Sequence, residues 1–132
     1  MDKKRIVLDT NIIISAFGWN GEPKKLLDKI IENEFEWIIS QNQIEELSRV
    51  LNYNKFKFSD EQKERIKTIV LSISILVEPK EKLNIINEDK DDNKILECAI
   101  EGKVGYIITG DSHLLKLKEF RDIKILKISE FF

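Results

Sequence analysis

The stretch IVLDTN, residues 6–11, carries three consecutive apolar residues straight into a carboxylate. An apolar run without polar alternation reads as a strand buried on both faces, the kind that parallel sheets contain. A strand needs no carboxylate to end. Asp9 therefore either caps the element that follows, or the fold delivers it to a site at the carboxyl end of the strand.

The rest of the chain repeats this pattern. IIISAFGW from Ile12 reads as a helix leaving the first strand, and Pro23 suits the first turn of a second helix with Leu26, Leu27, Ile30 and Ile31 on one face. FEWIIS supplies a strand over residues 35–39. Ser40 then reads as the N-cap of QNQIEELSRVL, whose apolar stripe is Ile44, Leu47, Val50 and Leu51. After NYNKFKF, Ser59 and Gln62 form a capping-box pattern for a helix over residues 61 to about 72, and SILVEP reads as a strand stopped by Pro79. A polar loop through NEDKDD leads to a helix that begins near Asp91 or Asp92, turns Ile95, Leu96, Ala99 and Ile100 inward and has Gly102 as its C′ residue. VGYIIT is the next strand, GDSHLLKL a turn into a short helix, and IKILKI the last strand. Alternating strands and helices imply an α/β three-layer fold with a parallel sheet covered on both faces.

At 132 residues the chain is expected to be one domain, residues 1–132, with one sizeable core. With 42% hydrophobic and 35% charged residues, five Gly and two Pro, it has the composition of a globular protein rather than a disordered or fibrous one. The apolar run after the basic start is cut by Asp9, too short for a secretory leader, and no run approaches a membrane span, so a cytoplasmic protein with no membrane contact is expected. Cys98, the single cysteine, has no partner for a disulfide or a zinc site and reads as a core thiol. A net charge of −2 argues against a nucleic-acid binder that works by charge alone. It leaves open an enzyme whose acidic site takes a divalent cation.

Acids recur where such a sheet would gather them. Asp9 follows the first strand, Asp111 follows YIIT through Gly110, Asp91 and Asp92 open the helix leading into that strand, and Glu45 and Glu46 flank the stripe of the helix after Ser40. Singly each has an ordinary explanation, as turn residue, N-cap, dipole partner or solvated helix face. Together they pose an electrostatic problem, since two carboxylates about 4 Å apart repel by roughly 4 kcal/mol at an effective dielectric near 20. No Lys or Arg adjoins LDTN or TGD, so a divalent metal is the natural counter-charge, and an oxygen-only ligand set without His or Cys favours Mg²⁺ or Mn²⁺ over zinc.

VLDTNIIISA, SQNQIEEL, DDNKILECA and YIITGDSHLL, in that order, resemble the four signatures of PIN-domain nucleases, in particular the small prokaryotic PIN proteins that act as toxins of toxin-antitoxin pairs. The resemblance spans nearly the whole chain. It implies a five-stranded parallel sheet and a metal-dependent endoribonuclease whose products carry 5′-phosphate and 3′-hydroxyl ends. Matched residue by residue, Asp9, Glu46, Asp92 and Asp111 are the catalytic carboxylates, with Glu45 and Asp91 as alternatives. Asp9, Asp92 and Asp111 are the metal ligands, Thr10 or Asn11 helps hold Asp9, and Thr109 supplies a hydroxyl. One Mg²⁺ or Mn²⁺ would bind tightly and a second with substrate. Many relatives carry a further acid two residues after the TGD aspartate; here His113 stands there and reads as a surface residue rather than a ligand.

Lys55 and Lys57 are candidate RNA phosphate contacts, while Phe56 and Phe58 read first as anchors of a helix connection. Expected partners are RNA, an antitoxin protein covering the acidic groove, and a second copy of the chain, with RIKTIVLSISI apolar enough to serve that contact or the core. A receiver-like signalling domain is disfavoured, because VLDTN has one acid and EWIISQN has none at its strand end. A PIN fold kept only as a binding scaffold would have lost carboxylates, and all four positions are filled.

Overall fold

The structure is a computed structural model and describes residues 3–132. Its strands are β1 (Lys4–Leu8), β2 (Phe35–Ser40), β3 (Ser74–Val77), β4 (Tyr106–Ile108), β5 (Glu119–Phe120) and β6 (Ile123–Leu126). Its helices are α1 (Thr10–Gly18), α2 (Glu22–Ile31), α3 (Gln41–Leu51), α4 (Asp60–Ile73), α5 (Lys90–Glu101), α6 (Ser112–Leu115) and α7 (Ile128–Phe131). The strands form one sheet in the order β3-β2-β1-β4-β6-β5.

Five strands pair in parallel, as the sequence implies, and a sixth is added. The two-residue β5 runs antiparallel along β6, Glu119 opposite Lys124 and Phe120 opposite Ile123. A two-residue pairing is too short for any periodic signal. It forms because Arg121 and Asp122, at φ 48° and 68°, turn the chain tightly back on itself.

The pleat divides the core. Ile6 and Leu8 face one side with Trp37, Ile39 and Ile108, against α1 to α4, whereas Val7 faces the other with Ile38, Ile107 and Ile125, against α5 and α6. Burial on both faces accounts for the unbroken apolar runs. Cys98 lies fully buried in the second cluster. Of the apolar segment 65–75, Ile66 and Val70 enter the core while Leu71 and Ile75 are exposed. Among the described residues no helix is long and apolar enough to cross a membrane.

Local signals hold at the caps. The Ser40 hydroxyl accepts from the Gln43 amide, and Ser59 and Gln62 close a reciprocal capping box at the start of α4. Gly102 differs from expectation: its φ is −78°, and the left-handed position after α5 falls to Lys103 at φ 53°. Glycine is required there for space, because a Cβ would lie 2.4 Å from Cγ2 of Ile38.

Two substitutions separate these causes. Gly102→Ala should lower the stability measured by urea unfolding by about 1–3 kcal/mol through overpacking against β2. Lys103→Gly should raise it by up to about 1 kcal/mol by relieving the left-handed backbone.

Candidate active site

The strand order reverses between β1 and β4, and this is where an open α/β sheet presents a crevice at its carboxyl edge. β1 and β4 pair in parallel through Ile6–Tyr106, Val7–Ile107 and Leu8–Ile108, and the Asp9 amide extends the ladder by donating to the Ile108 carbonyl at 3.1 Å. The chains after both strands therefore emerge side by side. The cleft there, about 90 Å³, is lined by Asp9, Thr10, Asn11, Glu46, Asp89, Asp91, Asp92, Ile95 and Asp111.

Asp9 is both cap and cleft residue. One carboxylate oxygen accepts from the Ile12 amide at 2.9 Å and so caps α1, while the other accepts from the Thr109 hydroxyl. The fully buried Thr109 hydroxyl in turn accepts from the Asp111 amide at 2.9 Å, which links the two acids through one oxygen. Asp111 caps α6 by accepting from the His113 amide at 2.7 Å. The ordinary explanation and the functional one thus apply to the same side chains.

Asp92 has no such relief. It is 5% exposed, and its Oδ2 is buried without a hydrogen-bond partner. Burial, then Asp111, Asp89, Asp9 and Glu46, push its carboxyl up to about 7. Asp9 is also raised, by burial against the opposing pull of Thr109 and the Ile12 amide. Glu46, half-buried on α3, is raised by burial, with the Thr10 hydroxyl opposing; that hydroxyl makes no hydrogen bond of normal geometry.

The paired alternatives part here. Glu46 lines the cleft while Glu45 is exposed outside it. Asp92 is buried at its floor, whereas Asp91 stands at the rim, 58% exposed, with Arg49 at 3.5 Å. Asp89, which caps α5 through the Asp91 amide, adds an acid that the sequence reading did not single out. The holding of Asp9 falls to Ile12 and Thr109 rather than to Thr10 or Asn11. His113 departs most from expectation: its Nδ1 lies 3.7 Å from Asp111 and 4.0 Å from Asp92.

Two buried amide side chains set the geometry. Gln43 donates to the Leu8 carbonyl at 2.8 Å and ties the start of α3, and so Glu46, to the end of β1. Asn93 accepts from the Ile85 and Ile86 amides, each at 2.9 Å, and donates to the Ile86 carbonyl at 2.7 Å. With Glu97 and Glu101, which accept from Leu83 and Lys80, it straps segment 80–86 along α5 and fixes the approach to Asp92. A polar residue in register with an apolar stripe, as Gln43 is with Leu47, was the available signal.

Lys55 and Lys57 are exposed on the connection between α3 and α4, where Phe56 packs edge-on to Trp19. Phe56 and Phe58 pack against the core as anchors. This stretch lies at the far end of α1, roughly 13 Å along the helix from Asp9.

A family model described as PIN domain matches residues 5–113. The chain belongs to the PIN domain family. PIN domains are in general nucleases. Among solved structures, a chain of the crystal structure of VapBC2 from Rickettsia felis bound to a DNA fragment from their promoter is similar in fold, at 19% identity and a TM-score of 0.65, over 93% of this chain and 98% of that one. No curated protein matches the sequence.

The raised carboxyls of this PIN domain have a thermodynamic consequence. An acid that holds its proton more tightly when folded leaves stability intact below the unfolded pKa near 4, and that stability is lost as pH rises toward the folded value of about 7. In chelator, the melting temperature should therefore fall between about pH 4 and 7 and level off above, and Asp92→Asn should melt higher than wild type at pH 8 with a flatter profile. An unchanged profile in the variant would remove Asp92 as the source.

Proposed function

We propose that this PIN domain is a Mg²⁺- or Mn²⁺-dependent endoribonuclease and the toxin of a toxin-antitoxin pair. The observation that carries the metal requirement is the buried, unpartnered Oδ2 of Asp92 in a cleft that Asp9, Glu46 and Asp111 share and that no lysine or arginine lines among the described residues. The donor set is chiefly carboxylate oxygen and suits a hard divalent cation. Asp9 and Asp111 retain lone pairs after capping their helices, so both can bind an ion without giving up the cap.

Asp9, Asp92 and Asp111 would hold the ion, and a second would bind alongside with substrate. The bound ion would polarise a phosphodiester and lower the pKa of the attacking water. Glu46, at the wall of the cleft with a raised pKa, orients that water and accepts its proton. Thr109 keeps Asp9 and Asp111 in register. Lys55 and Lys57, one helix length away, reach the flanking phosphates of an extended single strand. An antitoxin would silence the site by covering the groove and placing a basic side chain among the carboxylates.

Cleavage of a mixed single-stranded and structured RNA tests this reading. Wild type with Mn²⁺ or Mg²⁺ should release fragments with 5′-phosphate and 3′-hydroxyl ends, chelator should stop it, and Asp111→Asn should reduce it at least about 100-fold. Metal-independent cutting, or equal cutting by the variant, would contradict the proposal.

A further inference from the structure

His113 has no part in the chemistry above, yet its imidazole sits among the carboxylates. Nδ1 is 4.0 Å from Asp92 Oδ2 and 3.7 Å from Asp111 Oδ1, and ligand atoms of the three side chains all lie within 4.8 Å of one another. Of these atoms Asp92 Oδ2 is buried and without a hydrogen-bond partner, so it has free acceptor capacity facing the imidazole. The backbone of His113 is fixed by its own amide, which donates to Asp111.

An ion with bonds of about 2.1 Å holds neighbouring ligand atoms about 3.0–3.5 Å apart. The two separations from His113 exceed that range by about 0.2 to 1.0 Å, which rotation of a 35% exposed imidazole, together with rotation of the Asp111 carboxylate, can close. Ligand chemistry then decides which ion benefits. Mg²⁺ takes oxygen donors almost exclusively, whereas an imidazole nitrogen strengthens binding along the first transition row. Relative to an acid at this position, a neutral imidazole also removes one negative charge, which weakens the purely electrostatic hold on Mg²⁺ while keeping a donor for a softer ion.

We infer that His113, with Asp92 and Asp111, forms a mixed nitrogen-oxygen subsite that makes the cleft select a first-row transition ion such as Mn²⁺ over Mg²⁺. The inference rests on reading the cleft as a metal site.

Electron spin-echo spectroscopy of the Mn²⁺-loaded wild-type chain reads the bond directly, and calorimetric titration of metal-free wild type and His113→Asp with Mn²⁺ and with Mg²⁺ reads its consequence. A directly coordinated ¹⁴N coupling is expected in wild type and not in the variant, with the Mn²⁺-to-Mg²⁺ affinity ratio falling about tenfold or more in the variant. Bound Mn²⁺ without nitrogen coupling, or an unchanged ratio, overturns the inference, and if the variant fails to fold the wild-type spectrum decides alone. Nitrogen-coordinated Mn²⁺ in a protein that leaves RNA intact would overturn the nuclease reading and leave this one standing. Cleavage without nitrogen coupling would do the reverse, and absence of binding of either Mn²⁺ or Mg²⁺ would overturn both.

Discussion

Parallel pairing of β1 with β4 sets where Asp9 and Asp111 stand, because the two strands end in register and the Asp9 amide continues their ladder. With the crossovers departing to opposite sides, a crevice remains at that edge. Each aspartate opens the helix that follows its strand, so the residue that starts a helix is also the residue that lines the cleft. α5 adds Asp92 through the strap that Asn93 secures, and α3 adds Glu46 through the hook of Gln43.

The outcome is a site that local stability alone would not select. Caps satisfy Asp9 and Asp111, but among the described residues nothing satisfies the Oδ2 of Asp92, and burial with the surrounding acids raises the cost of ionising it. Natural folds retain such unrelieved charge at sites where function requires it. In this protein the unrelieved atom faces the crevice that the topology left open, which is why the metal reading and the fold reading support each other.

Strands and helices were legible from IVLDTN outward because both faces of the sheet are buried and each helix carries its own stripe and cap. Within the pairs Glu45/Glu46 and Asp91/Asp92 the resemblance favours Glu46 and Asp92 but keeps the neighbour as an alternative, since adjacent helix residues differ by about 100° in direction and only packing shows which one turns inward. In the sequence His113 looks like a surface residue because proximity across α5 and α6 has no local signature. The spatial role of Gly102 was hidden for the same reason: the constraint comes from Ile38 on another element. Gln43 and Asn93 interrupt buried faces with amides, and such interruptions mark the residues that hold a site in place.

Crystals grown with Mn²⁺, examined by anomalous diffraction, test the central claim most directly. The account predicts an anomalous peak within coordination distance of Asp92 Oδ2, with Asp9 and Asp111 as its other carboxylate ligands. A well-ordered cleft without such a peak, its carboxylates paired only with each other through shared protons, would contradict it.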